Sequence, residues 1–201
     1  MKTIDYYLSP MSPWSYLGHE RLTQIARKHR VTINVKPVDF GRIFPLSGGL
    51  PLAKRAPQRQ KYRLAELERW RDYLGVPLTI EPKYFPYDAN LASRVIVAAR
   101  QHGEETAMRL TGALMSACWA EERNMADETA LSEVITAQGL NAGSVLAMAK
   151  SGKTQADYDA LTEEAIQRDV FGAPTYVFQG KLFWGQDRLD FLDIELAVTS
   201  R

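Results

Sequence analysis

The sequence predicts an α/β protein in which a long helical block separates the two parts of an α/β fold. Residues 1–40 contain two β-rich runs around one helical segment, and strands connected in this way favour parallel pairing. Residues 154–201 contain a helical segment, two short β-rich runs joined by a two-residue turn, and a closing helix. The helical segments in between show no repeated period, so a solenoid is not predicted.

The first β-rich run, residues 3–8, leads through two Ser-Pro steps into a helix that is expected to end near His29. Ser12 occupies an N-cap position, and Pro13 stands at the first helical position, where a missing N–H costs nothing. The Ser12 hydroxyl is therefore expected at the positive end of a helix, which stabilises an anion. Two alternatives stay open: Ser12 as a cap with no further role, or Ser9-Pro10 as the cap, which Pro13 disfavours.

The next part of the chain is predicted to contain a strand, a loop and a helix. Residues 31–38 alternate β-branched side chains and indicate a second strand. Residues 40–57 are rich in proline and glycine, which predicts an irregular loop. Residues 58–74 form a basic, polar helical pattern that Gly75 ends as a C-cap. The expected apolar side of this helix consists of Tyr62, Leu64, Leu67, Trp70 and Leu74.

The remaining chain is predicted to contain five further helices, a hairpin and a closing helix. The helices span residues 89–102, 105–122, 128–138, 142–150 and 154–169. Pro174 opens the first strand of the hairpin, where a strand tolerates proline, and Gln179-Gly180 forms the turn. Asp187 is the expected N-cap of the closing helix, which ends near Val198.

The composition is that of a globular chain of one domain with a large insertion. The 201 residues are 45% hydrophobic and 24% charged, which is ample for a core. A formal net charge of +1 offers no electrostatic reason to expect nucleic acid or a membrane as a partner. Because neither a leader pattern nor an apolar run of membrane-spanning length is found, a cytoplasmic location is expected.

Cysteine and histidine usage excludes several kinds of chemistry. Cys118 is the single cysteine, which rules out an intrachain disulfide and a Cys-x-x-Cys pair, and its apolar neighbours predict a core position. His19, His29 and His102 are scattered without the spacing of metal ligands, so no metal site is predicted.

The order of elements is that of a thioredoxin fold, and three motifs extend the likeness. Ser12-Pro13-Trp14-Ser15 follows the first strand, where thioredoxin-like oxidoreductases carry Cys-x-x-Cys, and Phe171-Gly172-Ala173-Pro174-Thr175 resembles their cis-proline loop. With Phe-Trp-Gly-Gln-Asp-Arg-Leu near the end, the chain resembles the branch of the DsbA family that contains 2-hydroxychromene-2-carboxylate isomerase and kappa-class glutathione transferases. The implied fold is α/β and thioredoxin-like, with residues 1–40 and 154–201 in the thioredoxin-like domain and 41–153 in an all-helical insertion domain.

The resemblance implies glutathione as the cofactor and assigns residues to it. In the family, the first serine of the motif holds the sulfur of glutathione, which points to Ser12 as the catalytic residue. A thiolate is the useful nucleophile, and a helix N-terminus lowers the pKa of a thiol. The backbone before the cis-proline pairs with the cysteinyl part of glutathione in the family, which implies Ala173 and Pro174 here.

Further positions follow from the same resemblance. The γ-glutamyl end of glutathione is held in the family by an Asp-Arg pair, which corresponds to Asp187 and Arg188, with Gln186 as a third candidate. Trp14 and Tyr16 are candidates for the wall of a site for a small aromatic substrate; ordinary packing is the alternative for both.

The sequence departs from the family pattern in the loop that contains Gly49. Kappa-class members carry Ser-Gly-Asn-Lys-Pro-Pro, with an asparagine that contacts glutathione, whereas this chain has Ser47-Gly48-Gly49-Leu50-Pro51. Arg59, and Arg55 before it, are candidates for binding the glycyl carboxylate, and a solvated basic helix face is the alternative. Ser9 stands where kappa enzymes carry an acidic residue.

The resulting expectation is a glutathione-dependent isomerase that acts in the degradation of aromatic compounds. A kappa-type glutathione transferase or peroxidase and a thioredoxin-fold binding module without chemistry are the rival functions. A dithiol–disulfide oxidoreductase is disfavoured because the chain has no second cysteine to resolve a mixed disulfide. The sequence leaves a homodimer open.

Overall fold

A four-stranded mixed sheet lies at the centre of the fold in the computed structural model, which describes residues 2–199. Its strands are β1 (Thr3–Leu8), β2 (Thr32–Pro37), β3 (Thr175–Phe178) and β4 (Lys181–Trp184). The spatial order is β2-β1-β3-β4, in which β1 and β2 are parallel and β3 is antiparallel to β1 and β4. The parallel β-α-β unit and the hairpin predicted from the sequence are confirmed.

Helices surround this sheet and make up most of the described chain. They are α1 (Pro13–His29), α2 (Phe40–Ser47), α3 (Pro57–Leu74), α4 (Asn90–Ala99), α5 (Glu104–Trp119), α6 (Glu128–Ala137), α7 (Ala142–Ala149), α8 (Gly152–Gln167) and α9 (Leu189–Val198). The predicted helical block is confirmed, and α4 to α8 begin and end within three residues of the expected bounds. The closest agreement is at α1, because its N-cap and its basic last turn are both signalled locally.

The two faces of the sheet bury different clusters. Side chains alternate along a strand, so Tyr6 of β1 faces the larger cluster, which contains residues of α1, α5 and α9. Tyr7, the next residue, faces the smaller cluster, which contains Tyr158 and Ala165 of α8. The sheet is therefore covered on both sides, and its loops emerge only at its ends.

An ionic network on the α8 face joins β1, β2 and that helix. The ammonium group of Lys36 is buried and lies 3.0 Å from the Asp5 carboxylate and 2.8 Å from the Glu164 carboxylate. Arg168 contacts the same two carboxylates, at 2.8 Å and 3.2 Å, and the Tyr7 hydroxyl donates to Glu164 at 2.9 Å. Each charged group of this network thus has a partner of opposite sign.

The prediction of a loop over residues 40–57 is wrong for its first half, which forms α2. The Asp39 carboxylate caps this helix by accepting from the Gly41 N–H at 2.8 Å, and Gly48 ends it in the left-handed conformation with φ of 74°. Phe40 and Ile43 point into the core. The many prolines and glycines in this stretch favour a loop, although the residues directly next to both ends of α2 are suitable helix caps.

The apolar side of α3 is narrower than expected. Leu67 is fully buried and Gly75 ends the helix with φ of 64°, as predicted, but Tyr62 is 61% exposed. Tyr62 lies about 140° around the helix from Leu67, since each residue turns the helix by about 100°. Its ring instead contacts the Arg69 guanidinium, 5.9 Å from the ring centroid, on the outer face.

Two further observations bear on the sequence predictions. Cys118 is buried, which confirms its core position, and burial raises the pKa of its thiol to about 12.

Within residues 2–199, no helix has both the length and the hydropathy that are needed to cross a membrane. The proposed division of the chain at residues 40 and 154 stays a prediction; its second boundary falls inside the first turn of α8.

Candidate active site

Ser12 caps the N-terminus of α1 directly after β1. Its amide donates to the Ser9 carbonyl at 2.9 Å, which closes the turn, and its own backbone is extended, with φ of −80° and ψ of 119°. The Ser12 Oγ accepts the Ser15 N–H at 3.2 Å, and Pro13 is the first helical residue. The predicted cap is confirmed. Among the described residues no acceptor binds the Ser12 hydroxyl hydrogen, so this half-buried group can donate to an anion.

Three loops meet at the end of the sheet where Ser12 lies. Tyr7 of β1 pairs with Thr175 of antiparallel β3, so the loop after β1 lies beside the loop before β3. Thr175 in turn pairs with Trp184 of β4, which brings the loop after β4 to the same end. The register of the sheet therefore gathers the segments that carry Ser12, Pro174 and residues 185–188.

The Ala173–Pro174 peptide bond is cis. The Pro174 carbonyl accepts the Gly185 N–H at 2.8 Å, which joins the loop before β3 to the loop after β4. The Thr175 hydroxyl donates to the Gly172 carbonyl at 2.7 Å and closes the loop from the other side. Within residues 2–199, the N–H and the carbonyl of Ala173 have no hydrogen-bond partner, so both remain able to pair with a ligand backbone.

Asp187 and Arg188 lie in a short 3-10 turn, Gln186–Arg188, that precedes α9. The prediction of Asp187 as the N-cap of the closing helix is wrong, because α9 starts only at Leu189 and has no side-chain cap. Gly185, with φ of 104°, lets the chain enter the turn, and the Asp187 carboxylate folds back over it. Both charged side chains are about half exposed and lie 3.3 Å apart. They present a carboxylate and a guanidinium beside the Pro174 loop.

Gln186 is placed differently from its two neighbours. It is only 2% exposed, and its side-chain oxygen and its carbonyl accept from the Arg21 guanidinium at 3.1 Å and 3.3 Å. A Cβ atom on Gly18 would lie 2.8 Å from the Gln186 Cβ, so glycine at position 18 lets α1 approach the turn. Gln186 therefore ties the turn to α1. Sequence reasoning missed Gly18 and Arg21, because nothing local marks a close approach between distant segments.

Trp14 and Tyr16 are half-buried on the first turns of α1. The Tyr16 hydroxyl donates to the Pro77 carbonyl at 2.7 Å, and burial raises the pKa of this tyrosine. Both rings pack at the edge of the larger cluster. This placement is compatible with a substrate wall and with ordinary packing.

Arg55 and Arg59 flank the start of α3. Arg59 is exposed, whereas the half-buried Arg55 donates through Nε to the Leu50 carbonyl at 2.8 Å. Burial, and then the positive charge of Arg59, lowers the pKa of Arg55, so the two guanidinium groups are close enough to repel. A Cβ on Gly49 would lie 3.3 Å from the Phe44 Cα and closer still to its ring. An asparagine would therefore not fit at position 49 unless Phe44 moved.

A layer of polar groups lies beneath the first two turns of α1. The Tyr6 hydroxyl donates to the Ser15 carbonyl at 3.3 Å, and His19 donates through Nε2 to the Met108 carbonyl at 3.0 Å. Burial lowers the pKa of His19 to about 4, so its ring is neutral near pH 7. Within residues 2–199, no group of three or more His, Cys, Asp or Glu side chains is arranged to hold a metal ion.

Comparisons with known proteins agree with this architecture. A family model described as the DSBA-like thioredoxin domain matches residues 3–197. The 2-hydroxychromene-2-carboxylate isomerase of Sphingobium xenophagum is 32% identical over 193 residues, which cover 96% of each chain. Glutathione S-transferase kappa 1 of Caenorhabditis elegans is 24% identical over 200 residues, with 94% of this chain and 88% of the relative covered.

A solved structure of a 2-hydroxychromene-2-carboxylate isomerase superposes with a TM-score of 0.83 at 27% identity, covering 99% of this chain and 96% of the other. The predicted thioredoxin-like α/β fold with a helical insertion is thus confirmed. The chain belongs to the DSBA-like thioredoxin family, in the branch that contains the 2-hydroxychromene-2-carboxylate isomerases and the kappa-class glutathione transferases.

Proposed function

We propose that the protein is a glutathione-dependent isomerase of the 2-hydroxychromene-2-carboxylate type. The observation that carries this proposal is the Ser12 hydroxyl, which caps α1 at the end of the sheet where the Pro174 loop and the turn at residues 185–188 also lie. A donor at a helix N-terminus favours a thiolate over a thiol, because both the hydroxyl and the helix dipole stabilise negative charge.

The surrounding groups match the remaining parts of glutathione. The unpaired N–H and carbonyl of Ala173 suit the backbone of the cysteinyl residue, as in β-strand addition, with Pro174 beside it. The Asp187 carboxylate suits the γ-glutamyl ammonium group, and the Arg188 guanidinium suits the neighbouring carboxylate. Arg59, exposed at the start of α3, supplies a cation for the glycyl carboxylate.

Bound glutathione supplies a thiol nucleophile that adds to the conjugated substrate and later leaves, so it is regenerated in each turnover. Ser12 holds the hydrogen bond that keeps the sulfur ionised and oriented. Trp14 and Tyr16 offer apolar ring faces beside Ser12 for a small aromatic substrate. Cys118 takes no part, since its thiol is buried and protonated.

The test compares two serines that cap helices in the same way. Ser12 accepts from Ser15 N–H at 3.2 Å and Ser151 accepts from Thr154 N–H at 3.2 Å at the start of α8. Each Ser→Ala change removes an N-cap and costs about 1 kcal/mol of stability. We expect Ser12→Ala to lower kcat/KM for 2-hydroxychromene-2-carboxylate by about 100-fold, the usual scale for loss of a donor to a developing anion, and Ser151→Ala to leave it unchanged.

Turnover is measured with and without glutathione. The fraction of bound glutathione that is thiolate is measured by its ultraviolet absorbance as the pH is varied. Ser12→Ala is expected to raise the pKa of bound glutathione. A turnover rate that does not depend on glutathione, or a Ser12→Ala protein as active as the Ser151→Ala protein, contradicts the proposal.

A kappa-type transferase is the second candidate function, and the similarity to glutathione S-transferase kappa 1 favours it. It shares the glutathione site and differs in the electrophile, so conjugation of an aryl halide distinguishes it from the isomerase. Failure of glutathione to bind in calorimetry would instead point to a binding module without chemistry. A homodimer and a cytoplasmic location stay predictions, to be checked by the mass of the protein in solution and by cell fractionation.

A further inference from the structure

Arg63 of α3 is a half-buried cation without an anionic partner. Its guanidinium carbon lies 5.1 Å from the centroid of the Phe85 ring and 6.0 Å from that of the Trp119 ring. Its Nη2 atom is buried and makes no hydrogen bond to any described residue. Across residues 2–199, no carboxylate lies within ion-pair distance of Arg63, whereas Arg21, Arg71 and Arg123 each form an ion pair.

The aromatic groups around Arg63 are connected to the segment that carries Ser12. The Tyr87 N–H, two residues after Phe85, donates to the Met11 Sδ at 3.3 Å, and Met11 directly precedes Ser12. One turn into α1, the Tyr16 hydroxyl donates to the Pro77 carbonyl of the same connector, residues 75–89. The connector that carries Phe85 is therefore hydrogen-bonded to the chain on both sides of Ser12.

The electrostatic surroundings of Arg63 favour an added anion. Burial, and then the positive charge of Arg55, lowers the pKa of Arg63 to about 10, while the Glu81 carboxylate acts in the opposite direction. Removing a guanidinium from water without giving it a hydrogen-bond acceptor costs free energy. A carboxylate bound next to the guanidinium would offset this desolvation cost. A planar guanidinium also binds a carboxylate through two parallel hydrogen bonds.

We propose that Arg63 binds the carboxylate of the aromatic substrate, with the partly buried Phe85 ring beside the substrate ring and the fully buried Trp119 supporting Arg63 from the core side. This inference rests on the proposed function, because it names the substrate group that the site receives. The partly accessible Phe85 ring lies next to the guanidinium, which suits an aromatic acid better than the flexible glycyl end of a peptide. The glycyl carboxylate of glutathione has Arg59 available, which is exposed one turn earlier on α3.

The test uses trans-cinnamate and its uncharged amide, cinnamamide, as probes that bind without turnover. Calorimetry is carried out on the full chain in the presence of glutathione. Arg63→Met removes the charge and keeps an apolar side chain of similar length. We expect it to weaken cinnamate binding by at least about 30-fold and to leave cinnamamide binding and glutathione binding within about twofold. The KM for 2-hydroxychromene-2-carboxylate is expected to rise by a similar factor, with little change in kcat.

Arg69→Met is the matched control on the same helix, since the Arg69 side chain is 64% exposed and pairs with Glu66 at the surface. Arg69→Met is expected to change the affinity of neither cinnamate nor cinnamamide. Arg63→Lys serves if Arg63→Met does not fold; it keeps the charge, lacks the planar fork, and is expected to weaken cinnamate more than cinnamamide.

Three outcomes overturn the proposal. The first is that the unmodified chain shows no saturable binding of cinnamate, the second is that Arg63→Met loses affinity for cinnamate and cinnamamide equally, and the third is that Arg63→Met loses affinity for neither. Equal loss would show that Arg63 only supports the packing of Phe85 and Trp119. If Arg63→Met selectively loses cinnamate binding but the unmodified chain shows no isomerase activity, the carboxylate site is supported and the proposed function is contradicted. The two failures are therefore distinguishable.

Discussion

Replacing Gly18 by alanine tests how closely α1 must approach the turn that carries Asp187 and Arg188. A Cβ atom at position 18 would lie 2.7 Å from the Tyr176 hydroxyl oxygen and 2.8 Å from the Gln186 Cβ. Ordinary contact begins near 3.4 Å, so helix or turn must move by roughly 0.6 Å. Both neighbours are buried and cannot move into solvent.

The expected cost follows from two opposing effects. Overpacking a core position costs about 1–3 kcal/mol, and the better helix propensity of alanine returns up to about 1 kcal/mol. We therefore expect Gly18→Ala to lower the free energy of unfolding by about 1–2 kcal/mol. Glutathione affinity is expected to fall as well, because Gln186 is next to Asp187 in the displaced turn.

Urea unfolding and calorimetry with glutathione measure the two effects. Gly152→Ala is the control, because Gly152 begins α8 and no atom lies within 4 Å of the added Cβ. This variant is expected to be as stable as the unmodified protein or slightly more stable. The reasoning is refuted if Gly18→Ala is no less stable than Gly152→Ala.

Two further predictions concern the charges that hold the sheet and helices together. Lys36→Met is expected to lower the free energy of unfolding, measured with urea, by about 3 kcal/mol, because Asp5 and Glu164 lose a buried partner. The control Lys28→Met removes an exposed ion pair with Asp193 and is expected to cost less than about 1 kcal/mol. Equal losses in the two variants would contradict this view of the network. Burial acts to raise the pKa of Asp5, but hydrogen bonds from β2 and nearby cations outweigh it, so the pKa of the folded state lies below the usual value of 3.8. The stabilisation from Asp5 is therefore fully present above about pH 4 and is lost as the pH falls through the lower folded-state pKa. Urea midpoints of the unmodified and Asp5→Asn proteins from pH 7 to pH 2 should converge as the pH falls; midpoints that stay a constant distance apart would refute the assignment.

Local signals were sufficient wherever a structural decision depends on neighbouring residues. Ser12 and Pro13 set the start of α1, Gly75 ends α3, and Gln179-Gly180 turns the hairpin, each through its own backbone preference. The same kind of signal is present at α2, where Asp39 caps a helix within a stretch whose prolines and glycines favour a loop.

The error at Asp187 arose because the outcome there depends on distant residues. Asp187 has the side chain of an N-cap, yet the bond between Gly185 and Pro174 places it in a 3-10 turn before α9. Gln186, which the family resemblance offers as a third candidate for the γ-glutamyl end of glutathione, stays a prediction; its burial against Arg21 depends on the path of another helix. Propensity describes a segment alone and carries no information about what the fold brings against it.

By itself, the sequence determined the order of the elements, the cap at Ser12 and the family resemblance, because periodicity, caps and motifs are properties of contiguous residues. The tertiary structure decided which loops share one end of the sheet, which polar side chains are buried, and that Arg63 lies between aromatic rings without a carboxylate. These features depend on strand register and helix packing, which join residues more than a hundred positions apart.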